Sequence, residues 1–387
     1  EFISGNVEIL TDMPKLPALH IFDAQVLGFF GALSSELLKM PEAKVFPDVI
    51  TFAFWCRNAN LQYLKKQYSD DMRFGRGVAF HRAPSNVPVN FAYTLIAGML
   101  AGNASIVRLP SKDFLQTRLI CTAINKILEK FPVIIKRLCL IRYEHNSMLT
   151  DALSMLCNSR VIWGGDRTVS EIRKSPLMAR SNEITFPDRY SICVINSDRY
   201  LAEYDKSQTA RDFFNDTYLT DQNACTAPRF VFWLGNKIAE AKEVFWDAVY
   251  QRLDDYDLQA VQTVNKLTAM YMYAADHKCK IELTRNYKIV RVAVENITPE
   301  ISDHLENSGY FYEYEAESLR DMLPVCGIKC QTLSYIGVNS EELRKFVIDS
   351  VPGGIDRVTP VGKTLDFSLI WDGIDIIRTL SRQVFIS

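Results

Sequence analysis

One cysteine, Cys225, lies in the polar stretch 220–228, directly before the apolar run 229–234. The run predicts a buried strand, and the small residues around Cys225 indicate a thiol that is both reachable and rigidly held. A cysteine attacks as the thiolate, so such a site needs nearby positive charge or backbone N–H groups. Most cysteines are instead small buried hydrophobic residues. The stretch alone therefore indicates a candidate nucleophile and leaves the structural alternative open.

The composition is that of an ordinary globular protein, with 48% hydrophobic and 23% charged residues among 387. The 44 basic and 46 acidic residues give a net charge of -2, so no nucleic-acid partner is expected. The nine cysteines are dispersed without the paired C-x-x-C spacing of a zinc site, and no metal is expected. Many stand in apolar runs, which indicates reduced thiols and a cytoplasmic location. No apolar run reaches the roughly 18 residues of a membrane span, so none is expected.

Short apolar strands alternate with helices in the first half of the chain. Strands are predicted at 105–108, 160–163 and 191–195. This alternation predicts right-handed βαβ units and a parallel sheet, in which ligands bind beyond the carboxyl ends of the strands. Residues 280–337 are again rich in strand patterns, so a second α/β domain is expected.

Two loops follow predicted strands at the edge where ligands are expected. Residues 109–112 follow one strand, and Gly164, Gly165 and Asp166 follow another and open a helix. The N–H groups of such a turn can face a phosphate. Because this is not the G-x-G-x-x-G fingerprint, an isolated Gly-Gly turn is more often a plain turn than a cofactor site.

Four motifs occur in the order and at the spacing of the aldehyde dehydrogenase superfamily. They are the Pro84-Ser85-Asn86-Val87-Pro88 loop, the Arg108 to Ser111 turn, the Trp163 to Asp166 turn and the Gln222 to Cys225 stretch. The chain more closely resembles the acyl-CoA reductase family of the bacterial luminescence fatty-acid reductase (LuxC). That closer match is carried by residues 53–61, 81–87, 100–104, 222–226 and 357–382.

The resemblance implies an aldehyde dehydrogenase-like α/β fold, with a Rossmann-type cofactor domain, an α/β catalytic domain and a short oligomerisation tail. Residues 1–195 are predicted to be the N-terminal segment and NADP-binding domain, and 196–356 the catalytic domain with the nucleophilic cysteine. Residues 357–387 are predicted to be a C-terminal return and oligomerisation segment. Three roles stay open for this apolar tail: closing the active site, packing on a partner subunit, or ordinary core packing.

The resemblance also implies an NADPH-dependent reductase that converts a fatty acyl thioester to the aldehyde through an acyl-cysteine. Cys225 matches the nucleophile, and Asn86 matches the residue that donates its amide to the oxyanion, together with the Cys225 N–H. The residues that match the nucleotide contacts are Arg108, Pro110, Ser111, Lys112, Gly164 and Gly165. The implied acyl donor is acyl-CoA or an acyl-carrier or acyl-activating protein, and a homo-oligomer is expected.

Position 185 bears on whether the acyl-enzyme is reduced or hydrolysed. Hydrolytic aldehyde dehydrogenases carry a Glu that activates water, and by register from the predicted strand at 191–195 that position is Thr185. A threonine cannot act as a carboxylate base at neutral pH, which favours reduction. A register slip of two residues would place Glu183 there instead, and that alternative stays open.

The residues around Lys112 favour NADPH over NADH. Lys112 stands beside Ser111, with Arg108 four residues earlier. A basic residue suits the additional phosphate of NADPH, whereas the neighbouring Asp113 weakens the prediction.

Other interpretations of the chain stay open. His81 is expected to be a structural strand-end histidine satisfied by hydrogen bonds rather than a functional group. The alternative functions are a CoA-independent NAD(P) aldehyde dehydrogenase, or a catalytically silent subunit that holds a partner.

Overall fold

The computed structural model describes residues 1–68, 72–85 and 87–387. The chain folds into two compact units. One consists of Glu1–Pro187 with Ser368–Ser387, and the other of Asp188–Phe367.

The first unit alternates strands with helices along most of its length, as predicted. Its strands are β1 (Phe2–Ser4), β2 (Arg73–Gly75), β3 (Val78–Arg82), β4 (Ala104–Arg108), β5 (Leu138–Ile141), β6 (Ser159–Trp163) and β7 (Asn182–Phe186). Its helices are α1 (Val7–Asp12), α2 (Ala24–Lys39), α3 (Pro47–Trp55), α4 (Asn58–Gln67), α5 (Asn90–Leu100), α6 (Leu115–Leu128), α7 (Pro132–Ile135), α8 (Ser147–Leu156) and α9 (Asp166–Arg173). Short 3₁₀ helices span Met13–Lys15 and Pro41–Val45.

Within the described residues, the main sheet of this unit has the strand order β1-β5-β4-β3-β6-β7. β1 is antiparallel to β5, and the remaining neighbours are parallel. Every residue of β4 and of β6 is buried, as expected for a parallel sheet that is covered on both faces. After β3, the chain adds β4 and then β5 on one side of β3, and it then crosses to add β6 and β7 on the other side. That reversal creates the type of crevice in which open α/β sheets bind ligands.

The second unit is also an α/β structure. Its strands are β8 (Tyr190–Asn196), β9 (Pro228–Leu234), β10 (Cys279–Leu283), β11 (Val290–Val294), β12 (Tyr310–Glu315), β13 (Cys330–Ile336) and β14 (Arg357–Pro360). Its helices are α10 (Ser197–Glu203), α11 (Lys206–Thr217), α12 (Ile238–Tyr250), α13 (Ala260–Asp276) and α14 (Ser340–Ser350). Its 3₁₀ helices are Tyr218–Thr220, Pro299–His304 and Leu319–Val325.

The sheet of the second unit has the order β10-β11-β12-β9-β8-β13-β14 in the described part of the chain. Only its edge pair β10–β11 is antiparallel there. Successive strand side chains point to opposite faces, so Ile192 and Val194 enter one core cluster while Cys193 and Ile195 enter the other. Because both faces of the sheet are covered, the residues of β9 from Phe230 to Leu234 are all apolar, whichever face they point to.

The C-terminal residues return to the first unit and form β15 (Ile370–Trp371), β16 (Ile374–Asp375), α15 (Ile376–Leu380) and β17 (Ser381–Gln383). β17 pairs antiparallel with β2, and α15 contacts α5. The side-chain amides of Asn103 and Asn182 donate to the carbonyl oxygens of Leu380 and Thr379, both at 2.8 Å. The buried side chains of α15 therefore pack on this unit's own core.

The structure places the domain boundaries differently from the predicted ones at 195 and 356. β8 hydrogen-bonds on both sides to strands of the second unit, β9 and β13, so the division falls before it, after Pro187. β14 pairs with β13, so the return to the first unit begins at Ser368 rather than at 357. An apolar strand pattern does not specify which of two sheets a strand joins, and hydrogen bonds to distant strands decide it.

The helices in the described ranges are all too short or too polar to cross a membrane.

Candidate active site

The loop that carries Cys225 connects α11 and its 3₁₀ extension to β9. Asp221 and Gln222 adopt left-handed backbone angles, with φ of 51° and 59°. Such angles are uncommon for residues other than glycine and persist where surrounding contacts impose them. The N–H of Gln222 donates to Thr217 O at 2.7 Å, and the N–H of Asn223 donates to Thr220 O at 2.8 Å. These bonds turn the chain sharply just before the cysteine.

The Gln222 side chain anchors this loop to the start of β12. It is fully buried, and its Nε2 donates to Pro228 O at 2.9 Å and to Tyr310 O at 3.0 Å. Its Oε1 accepts from the N–H groups of Gly309 and Tyr310 at 2.9 and 3.1 Å. All hydrogen-bonding groups of the amide are thus engaged, which makes the site intolerant of a shorter side chain.

Three further hydrogen bonds hold the cysteine loop, two of them from the segment before β12 and one from Tyr256. Asp221 accepts through Oδ1 from the Tyr256 hydroxyl at 2.7 Å and through its carbonyl from Ser308 N at 3.0 Å. Asn223 Oδ1 accepts from Asn307 Nδ2 at 2.6 Å. The residues on the N-terminal side of the cysteine are therefore held by three side chains or backbone groups from distant positions.

Cys225 itself is half-buried. Its carbonyl oxygen accepts from Ser191 Oγ of β8 at 2.7 Å, and Ser191 Oγ accepts in turn from Thr332 N at 3.1 Å. A turn closed by the Ala227 N–H and Ala224 O at 3.0 Å follows immediately. The backbone at the thiol is thus fixed to the central strands of the sheet.

The other cysteines are poorer candidates for a nucleophile. All nine lie in the described ranges and none forms a disulfide, yet seven are buried, and only Cys225 and Cys279 are half-buried. Burial raises the pKa of the thiols of Cys121, Cys139, Cys157 and Cys193 to about 12. Burial also raises the pKa of Cys279. Because the thiolate is the reactive form, these thiols are poorly suited to attack at neutral pH.

Arg229, one residue into β9, is a buried cation that the sequence analysis did not identify as part of the site. Its Nη1 donates to Glu306 O at 2.6 Å and to Asn307 Oδ1. Burial lowers the pKa of Arg229 to about 10, while the charges of Glu306 and Cys225 act in the opposite direction. The sequence signal available was a charged residue at the start of an otherwise apolar strand, four residues after the cysteine.

In the first unit, Arg82 and Arg108 end the adjacent strands β3 and β4 and lie opposite each other in register. Arg108 Nη2 donates to Tyr143 O at 2.9 Å, and its guanidinium lies 5.0 Å from the Tyr143 ring centre. Arg82 Nη1 donates to Trp163 O at the end of β6, at 3.4 Å. Burial, followed by the charge of Arg108, lowers the pKa of Arg82 to about 10. Two neighbouring cations at the carboxyl edge of a sheet suit an anionic ligand.

Gly164 directly follows β6 and lies beside Arg82 at the same edge of the sheet. A Cβ atom on Gly164 would lie 2.9 Å from Thr168 Cγ2 and 3.3 Å from Arg82 Nη1, so the turn has no room for a larger residue. Gly165 is the N-cap residue of α9, whose N–H groups are positioned for an anion. The structure therefore brings the predicted residues Arg108 and Gly164 to the same edge of the sheet, with Arg82 as a residue that sequence reasoning did not include.

The remaining predicted nucleotide contacts follow β4. Pro110 is buried, whereas Ser111 and Lys112 are exposed. Asp113, which weakened the NADPH prediction, has Arg118 Nε at 3.5 Å and Arg142 Nη2 at 3.8 Å from its Oδ1. Two arginines therefore lie close enough to Asp113 to offset its negative charge.

Asn86, the predicted oxyanion donor, lies outside the described residues. In those residues we find no group of three or more His, Cys, Asp or Glu side chains that could hold a metal ion.

Glu183 and Thr185 point to the same side of β7 and differ in their surroundings. Arg160 donates to Glu183 Oε2 from Nε at 2.8 Å and from Nη2 at 2.5 Å, and Arg173 Nε donates to Oε1 at 2.8 Å. Thr185 is half-buried and carries no ionisable group. Both oxygens of Glu183 are engaged by guanidinium groups, so Glu183 is suited to an ion pair rather than to positioning water.

His81 is buried in β3. Its Nδ1 lies 2.8 Å from Thr94 Oγ1, and burial lowers the pKa of His81 to about 3. Its Nε2 has no hydrogen-bond partner among the described residues. The ring is therefore neutral, and only one of its two nitrogens has a hydrogen-bond partner among the described residues. It lies within the sheet rather than beyond the carboxyl ends of the strands.

Comparison with known proteins identifies relatives in sequence. A family described as acyl-CoA reductase (LuxC) matches residues 57–383. The long-chain acyl-protein thioester reductase of Photorhabdus laumondii is 20% identical over 348 residues, which are 87% of this chain and 68% of that protein. The protein of the same name from Photorhabdus luminescens is 18% identical over 298 residues, 74% of this chain and 59% of the relative. The chain thus spans only part of the length of these relatives.

Solved structures confirm the predicted fold class. The NAD-dependent benzaldehyde dehydrogenase of Corynebacterium glutamicum superposes with a TM-score of 0.65 at 11% identity, over 98% of this chain and 87% of that chain. The fold is therefore aldehyde dehydrogenase-like, with two largely parallel α/β sheets. Together with the family match over most of the sequence, this confirms the resemblance on which the site was predicted. The chain belongs to the LuxC acyl-CoA reductase family.

Proposed function

We propose that this protein reduces a long-chain acyl thioester to the aldehyde, using NADPH and an acyl intermediate on Cys225. One observation carries the proposal. Cys225 is a half-buried thiol on a loop whose backbone is fixed by a fully hydrogen-bonded glutamine, while most other cysteines are buried and protonated. A nucleophile must be held in place and still be reachable, and Cys225 meets both requirements.

The chemistry begins with attack of the Cys225 thiolate on the thioester carbonyl. The carbonyl oxygen gains negative charge and needs fixed donors about 3 Å away, for which we propose the Cys225 N–H and the Asn86 amide. The donor thiol then leaves, and the acyl group remains on Cys225. NADPH, when bound, supplies the hydride that reduces this acyl carbon. The resulting thiohemiacetal collapses to the aldehyde and returns the Cys225 thiolate.

The residues proposed to hold the nucleotide are Arg108, Pro110, Ser111, Lys112, Gly164 and Gly165, and Arg82 joins them. The buried Arg108 and the half-buried Arg82, beside a glycine turn at the carboxyl edge of a parallel sheet, suit a pyrophosphate. The exposed Lys112 supports NADPH over NADH, because its positive charge suits the additional phosphate of NADPH. The negative charge of Asp113 repels that phosphate less than an isolated carboxylate would, since Arg118 and Arg142 lie beside it.

The acyl donor is proposed from the relatives. Both Photorhabdus proteins are named acyl-protein thioester reductases, and the family is described by acyl-CoA. We propose an acyl group carried on a protein as the donor, with acyl-CoA as a simpler substitute in vitro. The homo-oligomeric state, the cytoplasmic location and the oligomerisation role of residues 357–387 stay predictions.

The environment of Glu183 favours reduction over hydrolysis. A CoA-independent aldehyde dehydrogenase needs a base that delivers water to the acyl-enzyme. Glu183 is engaged by Arg160 and Arg173, and Thr185 has no carboxylate. The acyl-enzyme is therefore proposed to persist until hydride reduces it.

The test is acyl transfer to the protein with NADPH withheld, using radiolabelled long-chain acyl-CoA, followed by aldehyde trapping when NADPH is added. Cys279→Ala is the matched control, because Cys279 is the other half-buried thiol. We expect wild type and Cys279→Ala to take up label and Cys225→Ala to take up none. Label on Cys225→Ala would show that the nucleophile lies elsewhere, and absence of label on all three would favour a silent partner-binding subunit.

A further inference from the structure

We propose that Arg229 is a positioning residue that supplies the fixed positive charge for the Cys225 thiolate. The inference rests on the proposed function, in which Cys225 is the nucleophile, and it deepens that function by naming the group that makes the thiol reactive. A thiolate at neutral pH needs such a charge or oriented N–H groups nearby.

A chain of hydrogen bonds holds Arg229 against the loop that carries the thiol. Arg229 Nη1 donates to Asn307 Oδ1, and Asn307 Nδ2 donates to Asn223 Oδ1 at 2.6 Å. Asn223 and Arg229 flank Cys225 on either side in sequence. One asparagine therefore fastens both ends of the segment in which Cys225 lies, and it sets the position of the guanidinium relative to that segment.

The Arg229 guanidinium is buried, and the hydrogen-bond acceptors of its Nη1 carry no charge. Only 7% of the Arg229 residue is exposed to solvent. The acceptors of Nη1 are the Glu306 carbonyl oxygen, at 2.6 Å, and an amide oxygen, both uncharged. Its Nε is buried with no hydrogen-bond partner in the described parts of the chain. A buried cation with uncharged acceptors is costly unless an anion lies close by.

The electrostatics agree with this arrangement. Burial lowers the pKa of Arg229 to about 10, and Glu306 and Cys225 are the two charges that raise it. The guanidinium therefore remains protonated at neutral pH. The attraction is mutual, so a thiolate that favours the charged arginine is itself favoured by it.

Four other ionisable groups stand around this loop, and one of them, the Glu306 carboxylate, acts on Arg229 more strongly than Cys225 does. They are Glu306, Asp221, Tyr256 and Lys266. Lys266 is the second buried cation, but its Nζ donates to Tyr287 O at 2.5 Å and to Ser308 O at 2.6 Å. The charge that acts on its pKa is that of Glu306, not that of Cys225. Arg229 is thus the cation that the structure assigns to the thiol.

The test is the pH dependence of iodoacetamide alkylation of Cys225, measured on the whole chain and localised by mass spectrometry. For Arg229→Gln we expect the midpoint of the rate profile to rise by roughly one to two pH units, with alkylation at pH 7 slowed about tenfold or more. Arg229→Lys keeps the charge and is expected to restore most of the wild-type profile. Arg357→Gln is the matched control, because Arg357 is a half-buried arginine of the same unit that donates to Thr364 O, and its profile should equal that of wild type.

An unchanged midpoint in folded Arg229→Gln would overturn the inference. Should that variant not fold, Asn307→Ala decides, since it removes the side-chain tether and keeps the charge. A midpoint raised by roughly half a unit supports the inference, and an unchanged one overturns it. The alkylation profile is independent of acyl transfer. A thiol that Arg229 makes acidic but that takes up no acyl label would refute the proposed function and leave this inference standing.

Discussion

The cysteine loop and the proposed nucleotide edge are built differently. Gln222, Asp221 and Asn223 bind the cysteine loop to distant backbone and side chains through hydrogen bonds that are already complete. The proposed nucleotide edge combines the buried Arg108 and the half-buried Arg82 with the exposed residues Ser111 and Lys112. A nucleophile gains rate from a fixed position, whereas a site for a mobile cofactor needs groups that remain open until it binds. Substitutions in the two regions are expected to separate these two behaviours.

The largest effect is expected at Gln222. Gln222→Ala leaves the carbonyl oxygens and N–H groups of β9 and β12 without their partner, which lowers the free energy of unfolding by about 3 kcal/mol. Displacement of the loop is expected to slow acyl labelling of Cys225 about 100-fold. Urea unfolding and the rate of label uptake measure the two effects. Gln331→Ala is the control, because Gln331 is a buried glutamine on β13, and it should leave labelling within about twofold of wild type. An equal loss of labelling in both variants would mean that general instability is the cause.

Arg82→Gln is expected to change the proposed nucleotide site and to leave the cysteine loop unaffected. It removes a charged donor at the nucleotide edge, so the KM for NADPH should rise about 10- to 100-fold. Acyl labelling without NADPH should stay at the wild-type rate. Arg137→Gln is the control, because Arg137 is buried just before β5, at the opposite end of the strands. An unchanged KM in Arg82→Gln would remove this residue from the proposed nucleotide site.

The buried Lys266 is expected to make the free energy of unfolding depend on pH. Burial lowers the pKa of Lys266 from 10.5 to about 8. Between these values the unfolded chain binds more protons than the folded one, so the free energy of unfolding rises with pH across this window. The rise from this group is roughly 2 kcal/mol. Urea unfolding of wild type and Lys266→Met at pH 7.5 and pH 10 isolates it, and identical pH dependence in both proteins would contradict the assignment.

The smallest effect is expected at Lys112. Its side chain is exposed, so Lys112→Ala should raise the KM for NADPH only about two- to fivefold and leave that for NADH unchanged. The difference should shrink at high salt, where an exposed charge pair is screened. Lys130→Ala, at another exposed lysine of this unit, provides the baseline. Equal losses with NADPH and NADH would show that Lys112 does not recognise the additional phosphate.

Much of the fold could be predicted because short strands and helices leave local patterns. The predicted strands at 105–108, 160–163, 191–195 and 229–234 all appear, and their parallel pairing follows from the helices between them. The apolar spacing of residues 46–68 is that of one helix, yet these residues form the pair α3 and α4, because Arg57 between them has a non-helical ψ of 140°. An apolar period of three to four continues across such a break and does not reveal it.

The site was predictable where a motif is local and not where contacts are distant. Cys225, Arg108 and Gly164 came from short stretches with a family resemblance, and the family is confirmed. The roles of Arg229 and Gln222 depend on partners 77 and 88 residues away, Glu306 and Tyr310. No pattern in the sequence joins those positions, so the charge beside the thiol is visible only in the folded chain.

The most direct test of the account is a single-turnover chase. Enzyme is loaded with radiolabelled long-chain acyl-CoA, freed of excess donor, and then mixed with NADPH. We expect label to leave Cys225 and to appear as aldehyde in equal amount, with no release on mixing with buffer alone. Release of labelled fatty acid without NADPH, or label that stays on the protein when NADPH is added, would contradict it.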